Sequence, residues 1–197
     1  MNTLKPDERV AHYNSVYWEY PHLHYEKGWI YGVWMLGQNY KGSGFYGSYP
    51  PTYLDRIYAL FPETEIGYGT RVLHLFSGSI EKEPGKTRFD INPENDPDVV
   101  GSAEEVSKHF PKDTFHVIIS DPPYSKEHAE KYGYPMVNRK NVFGECYKIL
   151  KPGWFMIWLD TRMPMWKKEQ WKLFGTIGII RSSNHLVRMV TLWERLK

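Results

Sequence analysis

"TFHVIISDPPY", residues 114–124, opens as a strand and ends as a stiff turn. The run from Phe115 to Ile119 is apolar and rich in β-branched residues, which reads as a buried strand. Two prolines then halt it. Proline lacks a backbone N–H, fixes φ and pushes the residue before it toward extended conformations. Asp121 and Tyr124 flank the proline pair, so a carboxylate and a phenol stand at the carboxyl end of a strand.

Outward from this strand the chain alternates. Toward the N-terminus lie "RVLHLF" (71–76), "TRFDI" (87–91) and "DVV" (98–100), each a short strand. "SAEEVSKHF" begins a helix at Ser102, with Glu105 at capping-box spacing. Toward the C-terminus, "NRKNVFGECYKIL" (138–150) reads as a helix stopped by "KPG", and "WFMIWLD" (154–160) as a buried strand. "PMWKKEQWKLF" (164–174) reads as an amphipathic helix. "TIGIIRSS" and "HLVRMVTLWER" read as two strands joined at Ser183-Asn184. The expectation is an α/β fold whose mostly parallel seven-stranded sheet ends in an antiparallel hairpin. About ten residues separate the first two strands and fewer the next two. A parallel crossover usually takes a dozen or more, commonly helical, so helices are abbreviated on one face.

Residues 1–62 are expected as an N-terminal arm or cap, and 63–197 as the catalytic domain. Residues 29–50 are rich in glycine and aromatic rings, the texture of a mobile loop or cofactor cover. "TYLDRIYALF" (52–61) reads as one helix, opened by a Thr52/Asp55 capping box and stopped by Pro62. With this arrangement the aromatic N-terminal region covers the sheet face that lacks helices.

Composition narrows the function. Net charge is +2, so no strongly basic nucleic-acid coat is encoded, although local patches are not excluded. Aromatic residues make up 16% of the chain, enough to serve as core filler or as stacking platforms for flat ligands. A single cysteine, Cys146, allows no intramolecular disulfide and no zinc cluster. No stretch approaches the roughly 18 apolar residues of a membrane span, and the polar N-terminus has no signal-peptide core. A cytoplasmic protein is expected.

Three features succeed one another at strand ends. "HLFSGS" (74–79) puts small residues behind the first strand, where a ligand can approach the backbone. By itself it is also an ordinary tight turn. Asp90 ends the next strand, where an acidic residue can accept hydrogen bonds from ribose hydroxyls; a solvated loop aspartate looks the same. "DPPY" (121–124) ends the fourth. An amino group on a flat ring has two hydrogens to donate, one to the Asp121 carboxylate and one to the Pro122 carbonyl. The nitrogen lone pair then points at an electrophile, and Tyr124 is placed to stack on the ring.

With these motifs the sequence resembles the S-adenosylmethionine-dependent methyltransferases that modify exocyclic amino groups of DNA bases, at adenine N6 or cytosine N4. "HLFSGS" is similar to their F-x-G-x-G cofactor motif and "DPPY" matches their catalytic motif. "YKGSGFYGSYPPTYL" (40–54) is similar to a segment of small phage and prophage members. The resemblance covers roughly residues 71–195 and implies a class I, Rossmann-like methyltransferase fold. It implies that Phe76, Ser77, Gly78 and Ser79 surround the amino-acid end of the cofactor. His74 stands where many members hold the methionine amino group with an acid. Asp90 is implied at the ribose, Ile91 against the adenine, and Ser102 and Ala103 at the adenine edge. Asp121, Pro122, Pro123 and Tyr124 are implied as catalytic. The sequence departs from the family at Ile80, where the last glycine is replaced, and at Ser102, where an aspartate is common. It also has no segment long enough for a separate target-recognition domain.

The resemblance thus implies methyl transfer to a base in DNA, with adenine N6 favoured because Asp121 opens the motif. The alternatives are an RNA-base amino-methyltransferase, or a catalytically silent protein of the same fold that binds nucleic acid or a partner. Candidate nucleic-acid contacts are Arg139, Lys140, Arg181, Asn184, His185 and Arg188; a solvated charged face is the competing reading for each. "SKEHAEKYGYP" (125–135) resembles a lid that orders around the target, with Tyr132 and Tyr134 as further stacking rings. No membrane partner is expected, and monomer and homodimer both remain open.

Overall fold

The computed structural model describes residues 3–37, 49–65, 69–131, 133–181 and 184–197, with the backbone alone for 181 and 184–186. Nine strands form one sheet: β1 (His24–Glu26), β2 (Trp29–Leu36), β3 (Val72–Leu75), β4 (Lys86–Asp90), β5 (Val99–Val100), β6 (Phe115–Ser120), β7 (Leu150–Asp160), β8 (Trp171–Arg181) and β9 (Asn184–Arg195). Their order across the sheet is β1-β2-β8-β9-β7-β6-β3-β4-β5. The seven strands expected from the sequence are β3–β9. They are parallel except for β9, which runs antiparallel to both β7 and β8. This is the Rossmann-like α/β arrangement of class I methyltransferases, with β8 and β9 as the C-terminal hairpin.

The sheet is wider than expected. Residues 29–36, read as part of a loop or cover, form β2 and pair in parallel with β8 from Ile30↔Gly175 to Leu36↔Arg181. The close approach depends on Gly175, where a Cβ would sit 2.8 Å from the Ile30 carbonyl.

Side chains alternate between the two faces of each strand, and two cores result. Val72, Val117, Ile119, Phe155 and Ile157 point to one face. There they meet Val10 and Tyr13 of α1 (Pro6–Val16) and Tyr53, Ile57 and Leu60 of α2 (Tyr53–Leu60). Leu73, Leu75, Ile118, Met156 and Trp158 point to the other. They meet the helix Arg139–Ile149, whose Val142, Phe143, Cys146 and Ile149 form one apolar stripe. This helix is α4, since the short helix α3 (Lys126–Lys131) precedes it. The N-terminal region therefore covers one face of the sheet along β2, β8, β9, β7, β6 and the start of β3, while no helix joins β3 to β4 and only the 3-10 turn Pro93–Asn95 lies between β4 and β5.

Three local expectations are corrected. Residues 164–174 contain no helix: a turn closes at Lys167, and Trp171 already pairs with Arg195. Trp166 and Trp171 pack in the second core, so strand pairing and burial override helical spacing. Thr52 has a left-handed φ of 61° and makes no side-chain cap, so α2 lacks the capping box. Ser102 does cap, through Glu104 N, but it opens a kinked 3-10 stretch, Ala103–Lys108, with Glu105 off helical geometry.

No helix among the described residues is long and apolar enough to cross a membrane.

Candidate active site

Parallel pairing brings the carboxyl ends of β3, β4, β6 and β7 to one edge of the sheet. Leu75 is opposite both Phe89 and Ser120, and Ser120 is opposite Trp158. The loop after β3, Asp90 and the "DPPY" turn therefore converge, as the order of motifs predicts.

Behind β3 the backbone turns sharply. Phe76 and Gly78 both have positive φ, 61° and 56°. A non-glycine residue in this region carries strain that the surroundings must hold. Here Ser77 N donates to the Phe89 carbonyl at 3.1 Å and Gly78 N to Asp90 Oδ2 at 2.8 Å. Asp90 Oδ1 accepts from Asn92 N at 2.9 Å, and the Asp90 carbonyl from Gly101 N. A carboxylate has about four acceptor positions, so Asp90 can fix this loop and still take a ligand hydroxyl. Ser77 and Gly78 are buried, Ser79 is exposed and Ile91 half-buried. Ser102 is at the neighbouring strand end but its hydroxyl accepts from Glu104 N, and Ala103 is buried.

His74 takes another place than the cofactor contact expected of it. Its ring is fully buried between the hydroxyls of Tyr49 (3.3 Å) and Tyr58 (3.4 Å). Burial, reinforced by the charge of Lys86, lowers its pKa to about 3. It is a neutral support beneath the loop, because its position on β3 points it toward α2.

At the "DPPY" turn, the Tyr124 hydroxyl donates to Asp121 Oδ1 at 2.5 Å. Burial and the Asp121 charge hold the Tyr124 pKa well above the ordinary phenol value. The Arg188 guanidinium lies 4.7 Å from the centre of the Tyr124 ring. Its Nε is buried and has no hydrogen-bond partner among the described residues. Arg139 has a different employment from the nucleic-acid contact expected of it. Its guanidinium pairs with Asp160 at the end of β7 and donates to the carbonyls of Pro123 and Tyr124. Among the described residues no hydrogen bond reaches the Pro122 carbonyl.

Two tyrosines beside Pro50-Pro51 complete the site. The Tyr49 hydroxyl donates to the Ile119 carbonyl at 3.3 Å, and its ring stacks on Tyr53 at 5.5 Å. Burial raises both phenols, and the Asp121 charge adds to it. The Tyr53 hydroxyl and Ser120 Oγ are buried and have no hydrogen-bond partner among the described residues. Buried hydroxyls with no hydrogen-bond partner among the described residues, a strained backbone turn and a strand-end carboxylate together suit a polar ligand.

Sequence reading missed Asp160, and it touched Tyr49 and Tyr53 only as part of the segment 40–54, read there as a candidate N-terminal cofactor motif. Asp160 carried the signal used for Asp90, an acid ending a buried strand. Lys140 is exposed on α4. The side chains of Arg181, Asn184 and His185, and residues 40–48, 132 and 183, lie outside the described residues. Of the expected lid, Lys126–Lys131 forms α3. Among the described residues no three His, Cys, Asp or Glu side chains are placed to hold a metal ion.

No family model matches the chain, and no curated protein matches it. Solved structures with similar folds include TrmN from Thermus thermophilus, at 16% identity and TM-score 0.49 over 65% of this chain and 44% of that one. They also include an rRNA methylase from Streptococcus thermophilus, at 7% identity and TM-score 0.43 over 65% of this chain and 87% of that one. A third is SMU.776 complexed with SAH, at 14% identity and TM-score 0.42 over 64% of this chain and 45% of that one. This chain spans less than half of TrmN and of SMU.776.

Proposed function

We propose that the protein is an S-adenosylmethionine-dependent methyltransferase acting on the exocyclic amino group of a nucleic-acid base, adenine N6 in DNA being the favoured target. The observation that carries this is the turn itself. Asp121 and the Pro122 carbonyl are adjacent acceptors at the strand edge shared with Asp90 and the strained loop. A primary aromatic amine offers two N–H donors, and this pair of acceptors matches them.

Ser77, Gly78 and the backbone of the 76–79 loop would hold the amino-acid end of the cofactor, Asp90 the ribose, and Ile91 and Ala103 the adenine. The cofactor supplies an electrophilic methyl group bound to a sulfonium. Asp121 takes one amine hydrogen and offsets the positive charge that develops on nitrogen. The Pro122 carbonyl takes the other, so the lone pair is aimed. Much of the acceleration is alignment. The nitrogen–carbon bond would form as the methyl–sulfur bond breaks, its electron pair leaving with sulfur as a neutral thioether, and the Asp121 carboxylate would receive the amine proton. A base in duplex DNA must first be flipped out. Arg188, whose side chain makes no hydrogen bond among the described residues, supports a phosphate contact beside the turn.

Asp121→Ala is expected to abolish methyl transfer to DNA while calorimetry shows S-adenosylmethionine binding unchanged. Retained transfer removes Asp121 from the reaction. Methyl label in RNA instead of DNA selects the RNA reading, and no cofactor binding at millimolar concentration selects a silent binding protein.

A further inference from the structure

We propose that Arg139, fixed by Asp160, is a positioning residue that aims the Pro122 carbonyl; this rests on the reading of the "DPPY" turn given above. The prolines create the need. Positions 122 and 123 have no N–H to donate within the turn, and among the described residues the Tyr124 N–H makes no hydrogen bond that closes it. The carbonyls of Pro123 and Tyr124 are held from outside.

Arg139 is the first residue of α4, directly after the Asn138 cap, whose side chain accepts from Lys140 N and Asn141 N. From there Nη2 reaches the carbonyls of Pro123 at 3.4 Å and Tyr124 at 3.3 Å. These contacts are long, but the donor is charged. The other side of the guanidinium is gripped firmly. Nε lies 2.5 Å from Asp160 Oδ2 and Nη2 3.1 Å from Oδ1. The Asp160 side chain is 1% exposed. It is itself fixed by Thr161 N at 2.7 Å, Arg162 N at 3.3 Å and Trp158 Nε1 at 3.2 Å.

The planar guanidinium is a rigid fork. It transmits the position of β7 to a turn that ends β6, the strand hydrogen-bonded beside it. Two of the three carbonyls from 122 to 124 are drawn toward α4. The third, that of Pro122, is left for a ligand. Asp121 is oriented by the same turn.

Arg139→Lys tests this with the fold preserved, because a cation remains beside the buried Asp160 carboxylate while the fork is lost. Expected are a fall in kcat for methyl transfer of about 100-fold, the cost of an ångström-scale misplacement, and S-adenosylmethionine affinity within about twofold of wild type. Amide exchange at Asp121 and Tyr124, the only amides of the turn, rises about tenfold while β6 and α4 stay protected. Asp160→Asn gives the same pattern, and the double variant is no worse than Arg139→Lys, since the two residues act as one unit. Wild-type kcat in Arg139→Lys overturns the proposal. So does a loss matched by equally weakened cofactor binding and global loss of protection, which marks a purely structural ion pair. If the wild-type protein methylates no base, the functional reading falls by itself. Exchange then decides the positioning role alone: unchanged exchange at Asp121 and Tyr124 refutes it.

Discussion

His74 shows how one residue can sit inside a motif and serve another purpose. In sequence it belongs to "HLFSGS". In the fold, strand alternation turns it away from the loop and into the aromatic core. Its pKa of about 3 sets a pH dependence. The unfolded chain protonates His74 near pH 6.5 and the folded chain does not. Protons therefore favour unfolding, and stability falls as pH drops from 6.5 toward 3, by about 1.4 kcal/mol per unit through this residue. His116, lowered to about 4 by burial and by Lys151, acts with the same sign but is more exposed and weaker. Below pH 4.5 the depressed carboxyls of Glu63 and Asp98 add to the loss as they are protonated. Thermal unfolding of His74→Gln across pH 4.5–6.5 is expected to show a flatter slope than wild type. The stiff turn flanked by Asp121 and Tyr124, by contrast, was legible at this scale because proline chemistry is local. Arg139 was visible only as a charge, since its partner Asp160 lies 21 residues away in sequence.

Elements were legible where a single strand or helix determines its own pattern. β6 and α4 are examples, one a continuous apolar run and the other a single apolar stripe. The expected helix at 164–174 fails because its tryptophans answer to β9 and the second core, neither of which is local. α1 is another element whose role is set at a distance. Its Arg9 guanidinium lies over the adjoining rings of Phe61 and Phe155, 4.6 Å from each centre. It donates to both oxygens of Glu63, at 2.6 and 2.8 Å, and to the Leu60 carbonyl. Burial works to raise the Glu63 pKa, but the Arg9 hydrogen bonds outweigh it and hold the carboxyl below its ordinary value. Removing one member of such a pair leaves a buried charge alone. Arg9→Ala is expected to lower stability by about 3–5 kcal/mol, measured by urea unfolding.

At the scale of the whole molecule, the aromatic N-terminal region was expected to cover the face beside the short β3–β4–β5 links; α1 and α2 do pack on a sheet face, but along β2, β8, β9, β7 and β6 rather than on β4 and β5. That β2 would join the sheet was not legible. "WIYGVWML" alternates well enough for a strand, but its glycine-rich continuation reads as loop, and its partner β8 is at the other end of the chain. A fragment lacking residues 1–50 loses α1 and β2 and bares Ile57, Ile177, Ile179 and Val190. It is expected to aggregate, as followed by light scattering. A soluble fragment that unfolds cooperatively would instead show that the remainder folds independently and would support a boundary near residue 62.

The pairing of β2 with β8 also bears on the order in which the protein can be finished. Trp29 and Thr176, joined by a hydrogen bond, are 147 residues apart. A ribosome makes β2 long before its neighbour. Until β8 emerges, β2 can pair only with the three residues of β1. The face that α1 and α2 must cover is itself incomplete without β8 and β9. Closure of the first core thus waits on the synthesis of β8 and β9, and a chain interrupted before residue 171 carries β2 as an unclaimed edge.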